Sequence, residues 1–280
     1  MIDHRSLQKT LFRMALDPAF SAAVFRGDVK ARASTGLGAR EMELLMAVDA
    51  RAIAADKGAR RRGQILGNLT MEYRGTLLAA TLLGFKDDLA ELFLSSGEFH
   101  TAVREGKRLP IVFGSYLRLR AMKLRSPLLR EIAGLEAAMA TLRRVDLDQR
   151  KREPGKGRWF LSERAHMVRL GTGIFDWLQD LRRAVDATAT PPPVPRNLIE
   201  SFETFETVLV TASPRTPHRI SSIAVEKLEP AVGELLEYAT FGLDLERLID
   251  LAERHRVALP DLEAFLSGLV ADGVLFDTEG

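Results

Sequence analysis

The sequence of 280 residues contains no cysteine, so it forms no disulfide and offers no thiolate for metal binding or nucleophilic catalysis. No apolar run reaches the roughly 18 residues that a membrane-spanning helix needs, and the first residues lack the apolar core of a signal peptide. Hydrophobic residues make up 46% of the chain and charged residues 28%, which is typical of a folded globular protein. We therefore expect a cytoplasmic protein without a membrane partner.

Motifs of the common enzyme classes are also missing. The chain has no glycine-rich nucleotide loop, no HExxH zinc motif and no GxSxG nucleophile elbow. Its histidines are isolated from one another and from carboxylates at metal-binding spacing; they are His4, His100, His166, His218 and His255. We expect no catalytic residue, metal or cofactor in this chain. An enzyme whose site is assembled from distant residues stays an open alternative.

Charge is distributed unevenly along the sequence. Residues 226–280 contain thirteen acidic and four basic side chains, a net charge of −9, although the whole chain carries +2. Residues 1–225 therefore carry +11, and within residues 104–130 eight basic side chains accompany the single Glu105. A solvated helix face would explain one basic cluster, but several together indicate an anionic partner. The candidate partner-binding residues are Arg118, Arg120, Lys123 and Arg125.

The first half of the chain has the pattern of a helical domain, which we predict over residues 1–145. Asp17-Pro18 and Ser126-Pro127 each combine a capping side chain with a proline suited to the first helical turn. After Ser126, apolar residues recur at helical spacing and form one stripe as far as Leu142. Such stripes are typical of a bundle core.

The second half has a different pattern, with short alternating segments and proline-rich turns. Strands are expected at 159–161, 166–170, 205–211, 219–225 and 274–276, and helices at 174–183, 226–239, 245–254 and 260–271. Residues 187–197 contain four prolines and predict an extended loop. Strands followed by three short helices indicate a winged-helix-like α+β domain over residues 146–280. The predicted fold class is mainly α with a small α+β part.

A winged helix usually binds DNA through a recognition helix in the major groove. Here the corresponding helix, 260–271, carries Asp261 and Glu263 and no Lys or Arg, so DNA phosphates would repel it. Binding of a peptide as an added strand carries no such penalty. Peptide recognition is therefore favoured, and a DNA-binding transcriptional regulator with a helical sensor domain is the alternative.

Several segments resemble one family: the partner proteins of multinuclear non-haem iron-dependent oxidases in the biosynthesis of ribosomally made peptide natural products. The similar segments are Leu7-Gln8 with Phe12, Asp17-Pro18, 126–136, Leu161-Ser162-Glu163, Val168-Arg169-Leu170, 175–178 and 243–276. The last segment is also similar to the small winged-helix domains, or recognition elements, that bind precursor peptides. In length and layout the chain is most similar to the partner subunits of 3-thiaglutamate pathways. The prolines at 191–195 depart from the family's pattern.

The resemblance implies a non-catalytic subunit that a separate oxidase requires. In that family the oxidase is a TIM barrel that holds the iron, and the partner forms a heterodimer with it. The partner captures the leader of the precursor peptide and presents a cysteine for modification.

The expected peptide-binding site combines a strand edge with the last helix. Backbone groups of the strand would bind the leader, and apolar side chains of the helix would form specificity pockets. The candidates are Arg219, Ile220, Ser221, Ser222 and Ile223 in the strand, and Leu262, Phe265, Leu266 and Leu269 in the helix. The four helix residues also have the spacing of any helix packed on a core.

Overall fold

The structure is a computed structural model that describes residues 3–48, 57–85, 88–144, 158–199, 202–212 and 222–278. The chain divides into two compact units, Met1–Leu117 and Arg118–Gly280. The helices of the first part are α1 (His4–Leu16), α2 (Pro18–Arg26), α3 (Val29–Ala33), α4 (Ala39–Met46), α5 (Lys57–Glu72), α6 (Arg74–Leu82), α7 (Leu89–Leu94), α8 (Gly97–Glu105) and α9 (Leu109–Lys123). The elements that follow are α10 (Pro127–Leu142), β1 (Trp159–Leu161), β2 (Ala165–Gly171), α11 (Ile174–Asp186), β3 (Phe205–Ala212), β4 (Ile223–Lys227), α12 (Pro230–Phe241), α13 (Leu245–His255), α14 (Leu259–Ala271) and β5 (Leu275–Asp277).

The predicted fold class is confirmed. The described residues are mainly helical, and their strands form two small antiparallel sheets, one with the order β2-β3-β4 and one pairing β1 with β5. Within these ranges, no helix is long and apolar enough to cross a membrane.

In the first unit, local capping starts the helices and two apolar clusters hold them together. The Asp17 carboxylate accepts a hydrogen bond of 3.0 Å from the Phe20 N–H, and Pro18 occupies the first turn of α2, as the sequence predicts. Helix α1 packs on α2, α4 and α5. The core of this packing contains Met14, Phe20, Val24 and Leu45.

The second cluster of the first unit collects most of its aromatic rings. The ring of Phe93 lies 5.4 Å from that of Phe99 and 4.9 Å from that of Phe113, and Tyr73 packs edge-to-face on Phe113. The Tyr73 hydroxyl donates a 2.7 Å hydrogen bond to the carbonyl of Pro110. These rings are buried. They therefore serve packing and are not available for stacking on nucleic-acid bases.

Asp17 joins α2 to the segment containing α7 and α8. Its carboxylate lies 3.5 Å from Nε2 of His100 and accepts a 3.4 Å hydrogen bond from the Ser95 hydroxyl. Burial raises the pKa of Asp17, but the His100 contact, the Phe20 N–H and the positive charges of His100 and Arg13 more than offset burial, and the pKa lies below its ordinary value. The ionised form is thus the one that the fold stabilises.

In the second unit, the β2-β3-β4 sheet is covered on both faces. Helix α10 packs on β2 and β3. The opposite face contacts α12, and Leu209 joins the core formed by α12, α13, α14 and the β1-β5 sheet. That small sheet is tied to the chain after α12, because the Leu243 N–H donates a 2.8 Å hydrogen bond to the carbonyl of Trp159. Strand β3 is consequently buried along most of its length.

The contacts divide the chain at a different point from the boundary predicted at 145/146. The division falls between Leu117 and Arg118, within α9. Helix α10 belongs with the strands, because its apolar stripe packs on β2 and β3 instead of completing a helical bundle. Helical spacing shows that a helix has a buried face, but the spacing does not show which element covers that face.

Glu206 of β3 fixes the start of α11 and the position of β4. Its Oε1 accepts hydrogen bonds of 3.2 Å from the N–H groups of Gly173 and Phe175, and Gly173 adopts φ +91°, which favours glycine. Its Oε2 lies 2.6 Å from Nζ of Lys227 on β4. This contact raises the pKa of Lys227, with a smaller contribution from Asp176. One carboxylate therefore connects three elements.

We expect Asp17→Ala to destabilise the protein more than Asp28→Ala does. Asp28 caps α3 with an exposed carboxylate, and the loss of such a cap costs about 1 kcal/mol. Asp17→Ala removes a buried cap and leaves His100 without its carboxylate partner. Urea unfolding at neutral pH measures both variants, and an equal loss in the two would contradict a special role for Asp17.

The variant Asp17→Asn isolates the charge, because asparagine still caps the helix. The folded-state pKa of Asp17 lies below its ordinary value of 3.8, so its stabilising effect is complete above that value. The effect is lost as the pH falls through the folded-state pKa. The difference in unfolding free energy between wild type and Asp17→Asn should therefore shrink as the pH falls below 3.8.

Candidate functional site

Strand β4 forms one edge of the β2-β3-β4 sheet. It pairs antiparallel with β3, with Val225 opposite Val210 and Lys227 opposite Val208. In the part of the chain that the structure describes, no strand pairs with the other side of β4. A strand in this position presents a row of backbone donors and acceptors to an added peptide.

The register shows which backbone groups face outward. Leu228 donates a 2.9 Å hydrogen bond from its N–H to the carbonyl of Thr207, which makes these two residues a hydrogen-bonded pair. Because such pairs alternate with non-hydrogen-bonded pairs in an antiparallel sheet, Ala224 and Glu226 also face β3. The N–H and C=O groups of Ile223, Val225 and Lys227 therefore point away from β3.

An apolar groove begins in the first turn of α12, four residues after β4 ends. We call it the C-terminal groove; its volume is about 180 Å³. Its lining comes from α12, α13, α14 and the connection between α13 and α14, and consists of Ala231, Val232, Leu235, Leu251, His255, Val257, Asp261, Leu262 and Phe265. Phe265 is 40% exposed although it belongs to an apolar helix. This groove is large enough for an apolar side chain, and Asp261 adds a carboxylate to its lining.

The structure separates the predicted peptide-binding residues into groups. Leu262 and Phe265 line the C-terminal groove, whereas Leu266 is fully buried and Leu269 packs against the core. Leu266 therefore belongs to the core that includes residues of α12 and α13 and does not line this groove, and its part in peptide binding stays a prediction. Leu269 likewise contributes to the core and does not line the groove.

The predicted strand 219–225 also requires correction. The strand runs from Ile223 to Lys227, and the helix predicted from Glu226 begins at Pro230. Ser222 is exposed and lies one residue before the strand, while Arg219, Ile220 and Ser221 lie outside the described residues. The error arose because Glu226 and Lys227 look like helix-surface residues. On an edge strand, Lys227 instead binds the carboxylate of Glu206.

The predicted partner-binding residues lie at the end of α9 and just after it. Arg118, Lys123 and Arg125 are exposed, and Arg120 is half-buried. Arg125 follows the helix in a left-handed conformation with φ +52°. Three of the four basic side chains in this short segment are therefore exposed to solvent.

This segment also exposes apolar residues that the sequence analysis missed. Leu119 is 51% exposed and Met122 is 61% exposed, and they lie three residues apart on the helix beside Arg118 and Lys123. We call the segment 118–125 the α9 surface. The sequence does contain a signal for this exposed apolar surface. Apolar residues occur around the whole circumference of α9, and its polar residues are not confined to one face. A mixed apolar and basic surface is typical of a protein-binding site with an acidic partner.

The histidines that the structure describes are not gathered into one site. His100 is paired with Asp17, and Nε2 of His255 lies 2.9 Å from a carboxylate oxygen of Glu234. His166 lies on β2, where partial burial lowers its pKa, and His218 falls outside the described residues. Among the side chains that the structure describes, no group of three or more histidines and carboxylates is placed to hold a metal ion.

Comparison of the sequence with models of known protein families gives no match, and comparison with curated proteins gives none either.

We expect the two neighbouring residues Phe265 and Leu266 to differ in their effect on stability. Leu266→Ala opens a cavity in the core and should lower the free energy of unfolding by about 2–5 kcal/mol. Phe265→Ala removes more atoms but from a partly exposed site, so the loss should be about 1–2 kcal/mol. Denaturant unfolding of the two variants decides this. A larger loss for Phe265→Ala would mean that this ring belongs to the core.

Proposed function

We propose that this protein is a non-catalytic partner subunit that binds an iron-dependent oxidase and recruits the leader of a ribosomally made precursor peptide. The oxidase, a TIM barrel, supplies the iron and performs the cysteine modification. This chain forms a heterodimer with it and works in the cytoplasm, where the precursor is synthesised. Among such pathways, the resemblance favours that of 3-thiaglutamate.

The observation that carries the proposal is the open edge of β4 next to the C-terminal groove. The outward backbone groups of Ile223, Val225 and Lys227 can bind an extended peptide whatever its side chains are. Phe265 and Leu262 can hold one apolar side chain of the same peptide in the groove. Backbone pairing then provides affinity, and the groove provides specificity.

Charge indicates which leaders fit. Residues 226–280 carry a net charge of −9, and Asp261 lines the groove itself. A leader with an apolar anchor flanked by neutral or basic residues is therefore favoured over an acidic one. The same charge argues against the alternative of a DNA-binding regulator, because α14 carries two carboxylates and no basic side chain.

The α9 surface is the proposed contact for the oxidase. Its exposed Leu119 and Met122 provide apolar area, and Arg118 and Lys123 provide positive charge for an acidic patch on the oxidase. Apolar area at the centre of an interface contributes mainly to affinity, and charges at its rim contribute mainly to the rate of association.

Capture from the native host tests the proposal as a whole. The tagged full-length chain is purified and its companions are identified by mass spectrometry. The expected companions are an iron-containing TIM-barrel protein and a short precursor peptide. Recovery of promoter DNA without either companion would instead support the regulator.

The variant Val225→Pro tests the strand edge. Proline removes an N–H that points away from β3, and proline is tolerated at such positions of edge strands. We expect Val225→Pro to keep its circular dichroism spectrum and lose the precursor peptide by at least about tenfold in affinity, since two or more hydrogen bonds depend on this edge. Val225→Thr, which retains the N–H, is the matched control and should bind as the wild type does. Equal binding by all three proteins would place the peptide elsewhere.

Charge reversal tests the α9 surface. The double variant Arg118→Glu, Lys123→Glu should associate with the oxidase at least about tenfold more slowly at low salt, and its rate should depend less steeply on salt. The control Lys30→Glu, Arg40→Glu changes the net charge equally at exposed positions of the first unit. Stopped-flow association over a range of ionic strength measures both. If the two double variants slow association equally, overall charge and not the α9 surface is responsible.

A further inference from the structure

A larger cleft lies wholly within the first unit, and the proposed function does not use it. Its volume is about 480 Å³, inside the range of roughly 300–1,000 Å³ that is typical of small-molecule sites. The cleft is lined by Arg5, Gln8, Lys9, Thr10, Phe12, Arg13, Phe20, Ser34, Thr35, His100, Val103 and Arg104. This lining contains four permanent cations and no carboxylate.

Two helices place the cations on one side of the cleft. Arg5, Lys9 and Arg13 follow each other at intervals of four residues on α1, so they share one face of that helix. Arg104 lies in the last turn of α8, four residues after His100. The arrangement therefore concentrates positive charge from two elements over one opening.

Three carboxylates interact electrostatically with cations of the cleft, Asp17 with Arg13, Asp3 with Lys9 and Glu105 with Arg104, but each also has another partner. Asp17 caps α2 and pairs with His100, and Asp3 caps α1 by accepting hydrogen bonds from the N–H groups of Arg5 and Ser6. Glu41 accepts a 3.0 Å hydrogen bond from the N–H of Asp3, and Glu105 pairs with Lys107. Hence the positive charge of the cleft is only partly balanced by the protein.

Arg13 is the group that most needs a ligand. Its guanidinium stacks on the ring of Phe20 at 3.6 Å, and Nη1 donates a long hydrogen bond of 3.4 Å to the Ser34 hydroxyl. Its Nε is buried and has no hydrogen-bond partner among the residues that the structure describes. A buried donor without an acceptor is costly, and a charged donor more so. An oxyanion entering the cleft would supply the acceptor and the opposite charge together.

We propose that this cleft binds a small anionic molecule: a phosphate or carboxylate group attached to an apolar or aromatic body. Arg13, Lys9 and Arg104 bind the oxyanion, and the Thr10 hydroxyl provides a further donor. The hydroxyls of Ser34 and Thr35 already donate to the carbonyls of Ala31 and Arg32 and only line the cleft. Phe12, Phe20 and Val103 contact the apolar body. The residues of this cleft all belong to the first unit, whereas those of the β4 edge belong to the second.

Calorimetric titration of the full-length chain with four probes tests this proposal. The probes are phenyl phosphate, inorganic phosphate, benzoate and phenol, all at one fixed ionic strength. Phenyl phosphate or benzoate should bind at least about tenfold more tightly than inorganic phosphate, because the ring adds contact with the apolar side of the cleft. Phenol, which lacks the oxyanion, should show no binding. The stronger of the two ring-bearing probes identifies the oxyanion as phosphate or carboxylate. Titration up to about 10 mM detects even a millimolar dissociation constant. If neither phenyl phosphate nor benzoate binds in this range, the proposal is wrong.

Substitutions of cleft residues test whether the probe binds in the cleft. Arg13→Gln should weaken the best probe by at least about tenfold, the usual effect of losing a hydrogen bond to a charged group. Because Arg13 also packs on Phe20, the exposed pair Lys9→Gln, Arg104→Gln is a second variant that leaves this packing intact. The matched control Lys30→Gln, Arg40→Gln removes two charges outside the cleft. Unchanged affinity in both cleft variants, or an equal loss in the control, would overturn the assignment.

Discussion

The second unit depends on the burial of strand β3. Helix α10 covers one face of its sheet and the C-terminal core covers the other, so β3 can pair only sideways, with β2 and β4. Glu206 at the start of β3 adds a polar constraint, because it caps α11 and binds Lys227 of β4. These contacts hold β4 in register on its inner side while its outer side keeps a row of backbone groups. The edge proposed to bind a peptide is thus a consequence of how the centre of the unit is packed.

Acidic and basic residues are concentrated in different parts of this chain, and the two parts are proposed to bind different partners. The C-terminal helices are acidic, and Asp261 contributes a carboxylate to an apolar groove that is proposed to take a peptide side chain. The α9 surface and the cleft of the first unit both contain several basic residues. In each of them the basic side chains lie beside exposed or accessible apolar groups. Charge beside apolar area is a physical basis for specific binding, because the charge selects the partner and the apolar contact supplies free energy. The net charge of the whole chain, +2, does not show this separation of acidic and basic residues.

Much of the local structure could be predicted because it depends on neighbouring residues. Asp17-Pro18 and Ser126-Pro127 start helices as expected, and the proline-rich stretch that ends at 195 forms neither helix nor strand. The strand of the central segment was expected at 205–211 and runs from Phe205 to Ala212. The prediction was wrong at β4, because Lys227 is held on this strand by Glu206, which lies about twenty residues earlier in the chain. Spacing alone also could not show that Leu262 and Phe265 line a groove while Leu266 lies in the core.

The sequence by itself determined the fold class, the caps of the helices and the division of the chain into a basic and an acidic part. Those properties follow from residue type and from spacing within a few turns or strands. Tertiary structure decided that α10 covers a sheet, that Ile223, Val225 and Lys227 direct their backbone groups outward, and that the guanidinium of Arg13 stacks on Phe20. Each of these depends on contacts between residues far apart in sequence. A period of two or of 3.6 apolar residues predicts which face of a strand or helix is buried. Only the packed structure shows which element covers that face.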